Sequence, residues 1–259
     1  MDTLFGLFDT HAHLNDPRFD EDRQAVLEDM QRLGMFNICV GADMESSRTG
    51  ITLSDQWENL YAAVGVHPHD AKNFVKERDL PQLEQWLGLP KVVALGEIGL
   101  DYYYDLSPRD VQQTVFRTQL ELAGTLDVPV ILHIRDAHGD AIQMMQEMGS
   151  ALPRCIVHCS SASWESTKLY LKMGCMISYA GPVTFKNAAR LQAAARQVPD
   201  DRLLIETDSP YMAPEPVRGR RNEPGNVRYI AEKIAELRGI PLEELAEQTT
   251  QNARNLFGF

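Results

Sequence analysis

Short apolar runs rich in β-branched residues alternate with longer amphipathic stretches along the 259-residue chain, one run about every 20 to 40 residues. The runs fall at 4–10, 36–40, 61–66, 92–96, 130–134, 155–158, 175–179 and 203–207. They are nearly continuous in apolar residues rather than alternating, as strands covered on both faces are. Between them the spacing predicts helices over 20–33, 108–126, 136–148 and 187–197, with two more at 226–238 and 242–256. Ser107-Pro108 reads as an N-cap followed by a proline in the first turn, and Gly34 and Gly174 sit where helix C-caps belong. Strand–helix units of this kind in one undivided chain predict an α/β fold: a closed (β/α)8 TIM barrel, a single domain over residues 1–259. An open doubly wound sheet competes, but the glycine fingerprint it needs after its first strand is missing. That strand runs instead into Thr10-His11-Ala12-His13.

Barrels of this class carry their chemistry at the C-terminal ends of the strands, so the polar residues there matter most. His11 and His13, two apart, share a strand face. His67 and His69 flank Pro68, which sends both imidazoles into an extended loop, either as substrate contacts or as a locked turn. Glu97 follows an apolar run, and a carboxylate there is costly unless paired or bound to a cation. Its neighbours Gly96 and Gly99 suit close approach of backbone or ligand. The fifth strand sets His133 and Arg135 on one face, and the sixth does the same for His158 and Ser160. Glu206 and Asp208 end the last strand by the same parity, an expensive pairing without positive charge between them. Any one of these residues reads equally well as a satisfied core or loop residue. Five strands ending in His, Glu or Asp aimed at one place do not.

His11, His13, Glu97, His133, His158 and Asp208 are too many ligands for one catalytic zinc, which takes three plus water. Two ions about 3.5–4 Å apart, sharing Glu97, would use all six. Imidazole-rich coordination favours zinc, with Mn2+ or Mg2+ as alternatives at the more exposed position. Composition (44% hydrophobic, 24% charged, 17 Gly, 14 Pro) excludes collagen-like and disordered classes. A net charge of -12 argues against a broad basic nucleic-acid face. Two divalent ions facing two carboxylates would still leave the barrel mouth locally positive, and Arg135 adds a planar fork suited to phosphate. No apolar run is long enough for a bilayer, and Met1-Asp2-Thr3 has no basic leader character. Cys39, Cys155, Cys159 and Cys175 lie in apolar runs, which predicts reduced thiols in a cytoplasmic protein. Nothing in the chain points to a membrane or to an obligate protein partner.

Those residues sit in motifs that together resemble the TatD family of metal-dependent deoxyribonucleases, within the amidohydrolase-like barrel enzymes. The motifs are Asp9-Thr10-His11-Ala12-His13, Gly65-Val66-His67-Pro68-His69, Gly96-Glu97-Ile98-Gly99-Leu100-Asp101 and His133-Ile134-Arg135-Asp136-Ala137. Glu206-Thr207-Asp208-Ser209-Pro210-Tyr211, Arg221-Asn222-Glu223-Pro224 and Asn252-Ala253-Arg254-Asn255-Leu256-Phe257 continue the series, so the resemblance runs over essentially the whole chain. It implies a distorted barrel with His11, His13, Glu97 and Asp208 around one ion, and Glu97, His133 and His158 around the other. It also implies a nuclease trimming single-stranded DNA from its 3′ end by attack of metal-bound water. On that reading Asp208 orients the water and accepts its proton, and Arg135 and His67 hold non-bridging oxygens. Glu206 orients the ligands or Arg135, and Ser160 and Tyr102 contact substrate. Tyr102-Tyr103-Tyr104 either stacks on bases or packs the loop, and Arg218, Arg220 and Arg221 form either a solvated turn or a phosphate clamp. The competing activity is a small-molecule amide, lactone or phosphate-ester hydrolase. Many such barrels bridge their metals with a carboxylated lysine on the fourth strand, whereas here Lys91 precedes that strand. A non-catalytic metal or nucleic-acid binder is disfavoured by the full ligand set.

Overall fold

The computed structural model describes residues 6–259. Its strands are β1 (Phe8–Ala12), β2 (Phe36–Val40), β3 (Leu60–Val64), β4 (Val92–Asp101), β5 (Val130–Arg135), β6 (Cys155–Val157), β7 (Met176–Tyr179) and β8 (Leu203–Ile205). They form one parallel sheet in sequence order. Helices α1 (Arg23–Arg32), α2 (Met44–Gln56), α3 (Lys76–Leu87), α4 (Arg109–Leu126), α5 (His138–Met148), α6 (Trp164–Lys172) and α7 (Ala189–Gln197) connect successive strands. Two more, α8 (Val227–Arg238) and α9 (Leu242–Phe257), follow β8. This is the (β/α)8 barrel that the sequence predicts. Among the described residues no helix is long and apolar enough to cross a membrane.

Two apolar layers explain why the strands read as continuous runs. Phe8, Ile38, Ala63, Ala94, Ile131, Ile156, Met176 and Leu204, one from each strand, form a single buried cluster filling the barrel, floored by Leu256 and Phe257 of α9. Their strand neighbours, such as Cys39, Ala62, Leu95, Leu132, Val157, Ile177 and Leu203, join the helix faces in a second, larger cluster. Carrying the inner parity upward from Ile131, Ile156 and Leu204 leads to His133, His158 and Glu206.

Several element limits depart from the sequence expectation. Residues 4 and 5 of the first predicted strand lie outside the described residues, and β1 itself starts only at Phe8 but reaches Ala12. Its pairing with β2 fixes this, beginning at Phe8 opposite Phe36. β4 extends well past Gly96 to Asp101, with an irregular register against β5 between Leu95 and Ile98. Ser107 does not cap α4, whose N-cap is Pro108. Its hydroxyl instead accepts from the Lys72 N–H (3.1 Å) and donates to the His69 carbonyl (2.8 Å), pinning the loop after β3.

The barrel closes through the segment that follows β8. The Asp208 N–H donates to the His11 carbonyl (2.9 Å) and the His13 N–H to that of Ser209 (2.6 Å). Below them the buried Asp9 carboxylate accepts the Thr207 N–H (2.8 Å) and hydroxyl (2.6 Å). The seam therefore passes directly through three of the expected metal ligands.

Gly99 shows why the motif around Glu97 needs glycine. Its φ is +147°, and a Cβ there would lie 1.9 Å from the His133 carbonyl oxygen. Gly139, in the first turn of α5, has nothing within 4 Å of its would-be Cβ. Gly99→Ala is expected to cost about 2–4 kcal/mol, roughly 5–10 °C in Tm, through backbone clash and strain. Gly139→Ala should be neutral or raise stability by up to about 1 kcal/mol. Thermal denaturation of the two variants checks the contrast.

Candidate metal centre

Glu97 lies at the middle of the mouth and is only 3% exposed. Its Oε1 is 2.8 Å from His133 Nδ1 and 2.8 Å from His158 Nε2. Its Oε2 is 3.6 Å from both His11 Nε2 and His13 Nε2. Asp208 Oδ1 completes the second group, 3.9 Å from His11 Nε2 and 3.6 Å from His13 Nε2. One carboxylate thus faces two imidazole clusters, one with each oxygen. All six residues singled out as ligands in the sequence converge here.

The outer partners of the rings fix which nitrogen is bare. His13 Nδ1 donates to the Val40 carbonyl (2.9 Å), leaving Nε2 toward the centre. His158 Nδ1 donates to Glu206 Oε1 (3.1 Å), again freeing Nε2. His133 does the reverse: its Nε2 donates to Asp101 Oδ2 (3.1 Å), so Nδ1 faces Glu97. A ring nitrogen held by a carboxylate or carbonyl on one side presents a fixed lone pair on the other, the arrangement that supports a ligating histidine. His67 has the opposite polarity. Its Nδ1 accepts from the His69 N–H (3.1 Å), so Nε2 carries the hydrogen, 3.7 Å from Glu97 Oε1. It is a donor at the site.

The titration behaviour points the same way. Burial opposes ionisation of Glu97, yet the surrounding imidazoles of His158, His67 and His11 hold its carboxyl well below the usual range. Burial likewise opposes charge on His158, but Glu97 and Glu206 drive it well above an ordinary histidine. His133 is raised against burial by Asp101 and Glu97, and His13 by Asp208 and Glu97. Burial and His158 lower His11, and burial and His133 push His67 well down. The carboxylates thus favour positive charge at His13, His133 and His158, which is the charge that cations would supply. With bare imidazole nitrogens and carboxylate oxygens as donors, and Glu206 Oε2 and His11 Nδ1 buried without a partner, the residues fit divalent ions.

Beside the cluster lies a cavity of about 200 Å³ lined in part by His133, His158, Asp208, Arg135, Ser160 and Cys159. Arg135 and Ser160 therefore reach the site. Tyr102 does not: its hydroxyl donates to Asp140 (2.7 Å) and accepts from Gln113 (2.7 Å), under the guanidinium of Arg109. Glu206 contacts His158 rather than Arg135. Asp208 comes to face His11 and His13 because β8 ends at Ile205 and its own backbone turns to φ +58°, not by strand parity. Arg221 is bound to Asp22 (2.6 Å) and Glu223 (2.9 Å), and so braces the loop after β8. Lys91 donates to three carbonyls, of Trp57, Glu58 and Leu60, at the far end of β4 from Glu97.

Asp101 has no role in the sequence reading. It holds His133 and also accepts from His69 Nε2 (2.9 Å) and from the backbone N–H groups of Tyr103 and Tyr104 (2.9 and 2.8 Å). Burial works against its ionisation, but these donors hold its carboxyl far below the usual range. The available signal was spacing: Glu97, Gly99 and Asp101 alternate on one face once β4 is carried through to Asp101.

A family model described as TatD related DNase matches residues 8–258. The chain belongs to the TatD DNase family. It is 43% identical over 252 residues to the uncharacterized metal-dependent hydrolase YabD of Bacillus subtilis, covering 97% of this chain and 98% of that protein. It is 34% identical over 258 residues to a protein of Pectobacterium atrosepticum named 3′-5′ ssDNA/RNA exonuclease TatD, covering 97% of this chain and 99% of that one. The crystal structure of YJJV, a TatD homologue from Escherichia coli K12, superposes with a TM-score of 0.91 at 32% identity and full coverage of both chains. The protein is a metal-dependent hydrolase of the TatD family.

Asp101→Asn is expected to weaken divalent-ion binding by about 10–100-fold, because it removes the charge that orients His133. Calorimetric titration of the metal-free protein reads this directly. Unchanged affinity would dismiss Asp101 as a positioning residue.

Proposed function

We propose that this TatD-family hydrolase cleaves phosphodiester bonds of single-stranded DNA, as a 3′→5′ exonuclease carrying two divalent ions. Zinc is favoured, with Mn2+ or Mg2+ as alternatives. The observation that carries the reading is the placement of Glu97, one oxygen toward each imidazole cluster, beside a cavity that Arg135 lines. The exonuclease name borne by relatives such as the Pectobacterium protein supports the substrate class.

His11, His13, Glu97 and Asp208 would hold one ion, and Glu97, His133 and His158 the other. When bound, divalent ions would supply Lewis acidity toward a water and toward the charge that builds on the phosphate. Asp208, at the edge of the cavity, accepts the proton of the attacking water. His67 donates from Nε2 to a non-bridging oxygen, a role for which its neutral form suffices. Arg135 offers a guanidinium without an ion-pair partner among the described residues, free to fork onto the phosphate. Glu206 keeps His158 in its ligating tautomer, and Ser160 lines the cavity. The buried unpaired thiols of Cys39, Cys155 and Cys175 suit the reducing cytoplasm.

Asp208→Asn should lower turnover by roughly 10²–10⁴-fold while the melting temperature stays near wild type. The assay is a cleavage time course on 3′- and 5′-labelled single-stranded DNA, after chelation and with each metal restored. Near-normal activity of the variant would remove Asp208 from its role. Turnover of hydantoins, dihydroorotate or lactones, with oligonucleotides untouched, would replace the substrate assignment.

A further inference from the structure

Five of the nine exposed large apolar side chains among the described residues, Tyr103, Tyr104, Leu106, Tyr211 and Met212, stand on the loops after β4 and β8. Both loops border the metal centre, and each carries a tyrosine backed by an arginine. The Arg135 guanidinium lies 4.1 Å from the ring of Tyr103 and 4.8 Å from that of Tyr104. The Arg18 guanidinium lies 4.0 Å from the ring of Tyr211. Tyr104 meets His69 edge-on at 5.4 Å, and Tyr211 meets His13 edge-on at 5.8 Å. The first pair therefore sits on the Glu97 Oε1 side of the cluster and the second on the Oε2 side.

These rings are held in place yet left open. Asp101, which fixes His133, also fixes the backbone of Tyr103 and Tyr104. Asp16 receives the hydroxyl of Tyr211 (3.2 Å) and pairs with Arg18 (2.8 Å). Exposures of 58%, 53% and 44% remain for Tyr103, Tyr104 and Tyr211. A ring stiffened by a cation on one side and open on the other is a stacking surface for another flat group. Nucleobases are the flat groups that a phosphodiester would bring, and only unpaired bases can splay onto two separate rings.

We propose that the mouth carries two nucleobase-stacking subsites, Tyr103 and Tyr104 with Arg135 on the His133 side, and Tyr211 with Arg18 on the His13 side. They take the unpaired bases flanking the scissile phosphate and set the preference for single strands; this rests on the nuclease reading above. Tyr102, engaged with Asp140 and Gln113, is not part of either subsite.

The test compares (dT)10 with the same oligomer carrying abasic residues at its last two 3′ positions. For the metal-loaded Tyr103→Ala/Tyr104→Ala and Tyr211→Ala proteins, KM on (dT)10 should rise about ten-fold, with kcat within about two-fold and no change on the abasic oligomer. The Tyr→Phe counterparts, which keep the ring, should restore the wild-type KM. Fluorescence anisotropy of labelled (dT)10 on the chelated proteins should show the same ranking without turnover. Wild-type KM in the alanine variants, or equal losses on both oligomers, overturns the subsites while leaving the nuclease reading intact. A change of oligomeric state in sedimentation, in place of a KM effect, assigns the tyrosines to a protein interface and overturns them as well. If the wild-type enzyme cleaves neither oligomer but hydrolyses small esters, the nuclease reading falls and takes the subsites with it.

Discussion

A buried carboxylate stays ionised only where positive charge or several donors face it, and Glu97 is a buried carboxylate at the centre of the barrel mouth. Its two oxygens need positive charge on both sides, and the strands supply it: His11 and His13 from β1, His133 from β5 and His158 next to β6. Each imidazole that answers Glu97 must itself be steered, so a further layer follows, with Val40 behind His13, Asp101 behind His133 and Glu206 behind His158. The polar residues of the mouth form one connected network, not a set of separate ligands. Removing one partner from such a network leaves another charge buried and unpaired, which is why its members are poorly interchangeable.

The same residues close the fold. The seam between the ends of the sheet is made by backbone bonds of His11, His13, Asp208 and Ser209, with Asp9 and Thr207 beneath. A displacement that opened the barrel would separate His11 and His13 from Asp208, so closure of the sheet and assembly of this candidate ligand cluster go together. This arrangement would also let an acidic protein handle the anionic substrate proposed above. The chain as a whole carries a net charge of -12, while the mouth gathers five imidazoles and Arg135 around Glu97 and Asp208.

Much of this was legible in the sequence because barrel strands buried on both faces are marked by apolar runs, and polar residues at their ends stand out. Residues 36–40 were bounded correctly for that reason, and parity alone put His133 with Arg135, and His158 with Ser160, on one face, all four of which line the cavity. Parity failed where the backbone departs from a regular strand. The irregular register inside β4 hid its continuation to Asp101, so the residue that orients His133 went without a role. Asp208 reaches its cluster through a left-handed backbone turn that no alternation rule anticipates. Tyr102 was the tyrosine expected to contact substrate, and only packing against Arg109, Gln113 and Asp140 separates it from the exposed pair, Tyr103 and Tyr104.

The proposed centre depends on one side chain, Glu97, being shared between two cations. Counting tightly held divalent ions per chain by elemental mass spectrometry, after dialysis of wild type and of Glu97→Gln, tests it most directly. The account predicts two ions per wild-type chain and one or none in the variant. A single ion in the wild type, or two retained without the carboxylate, would contradict it.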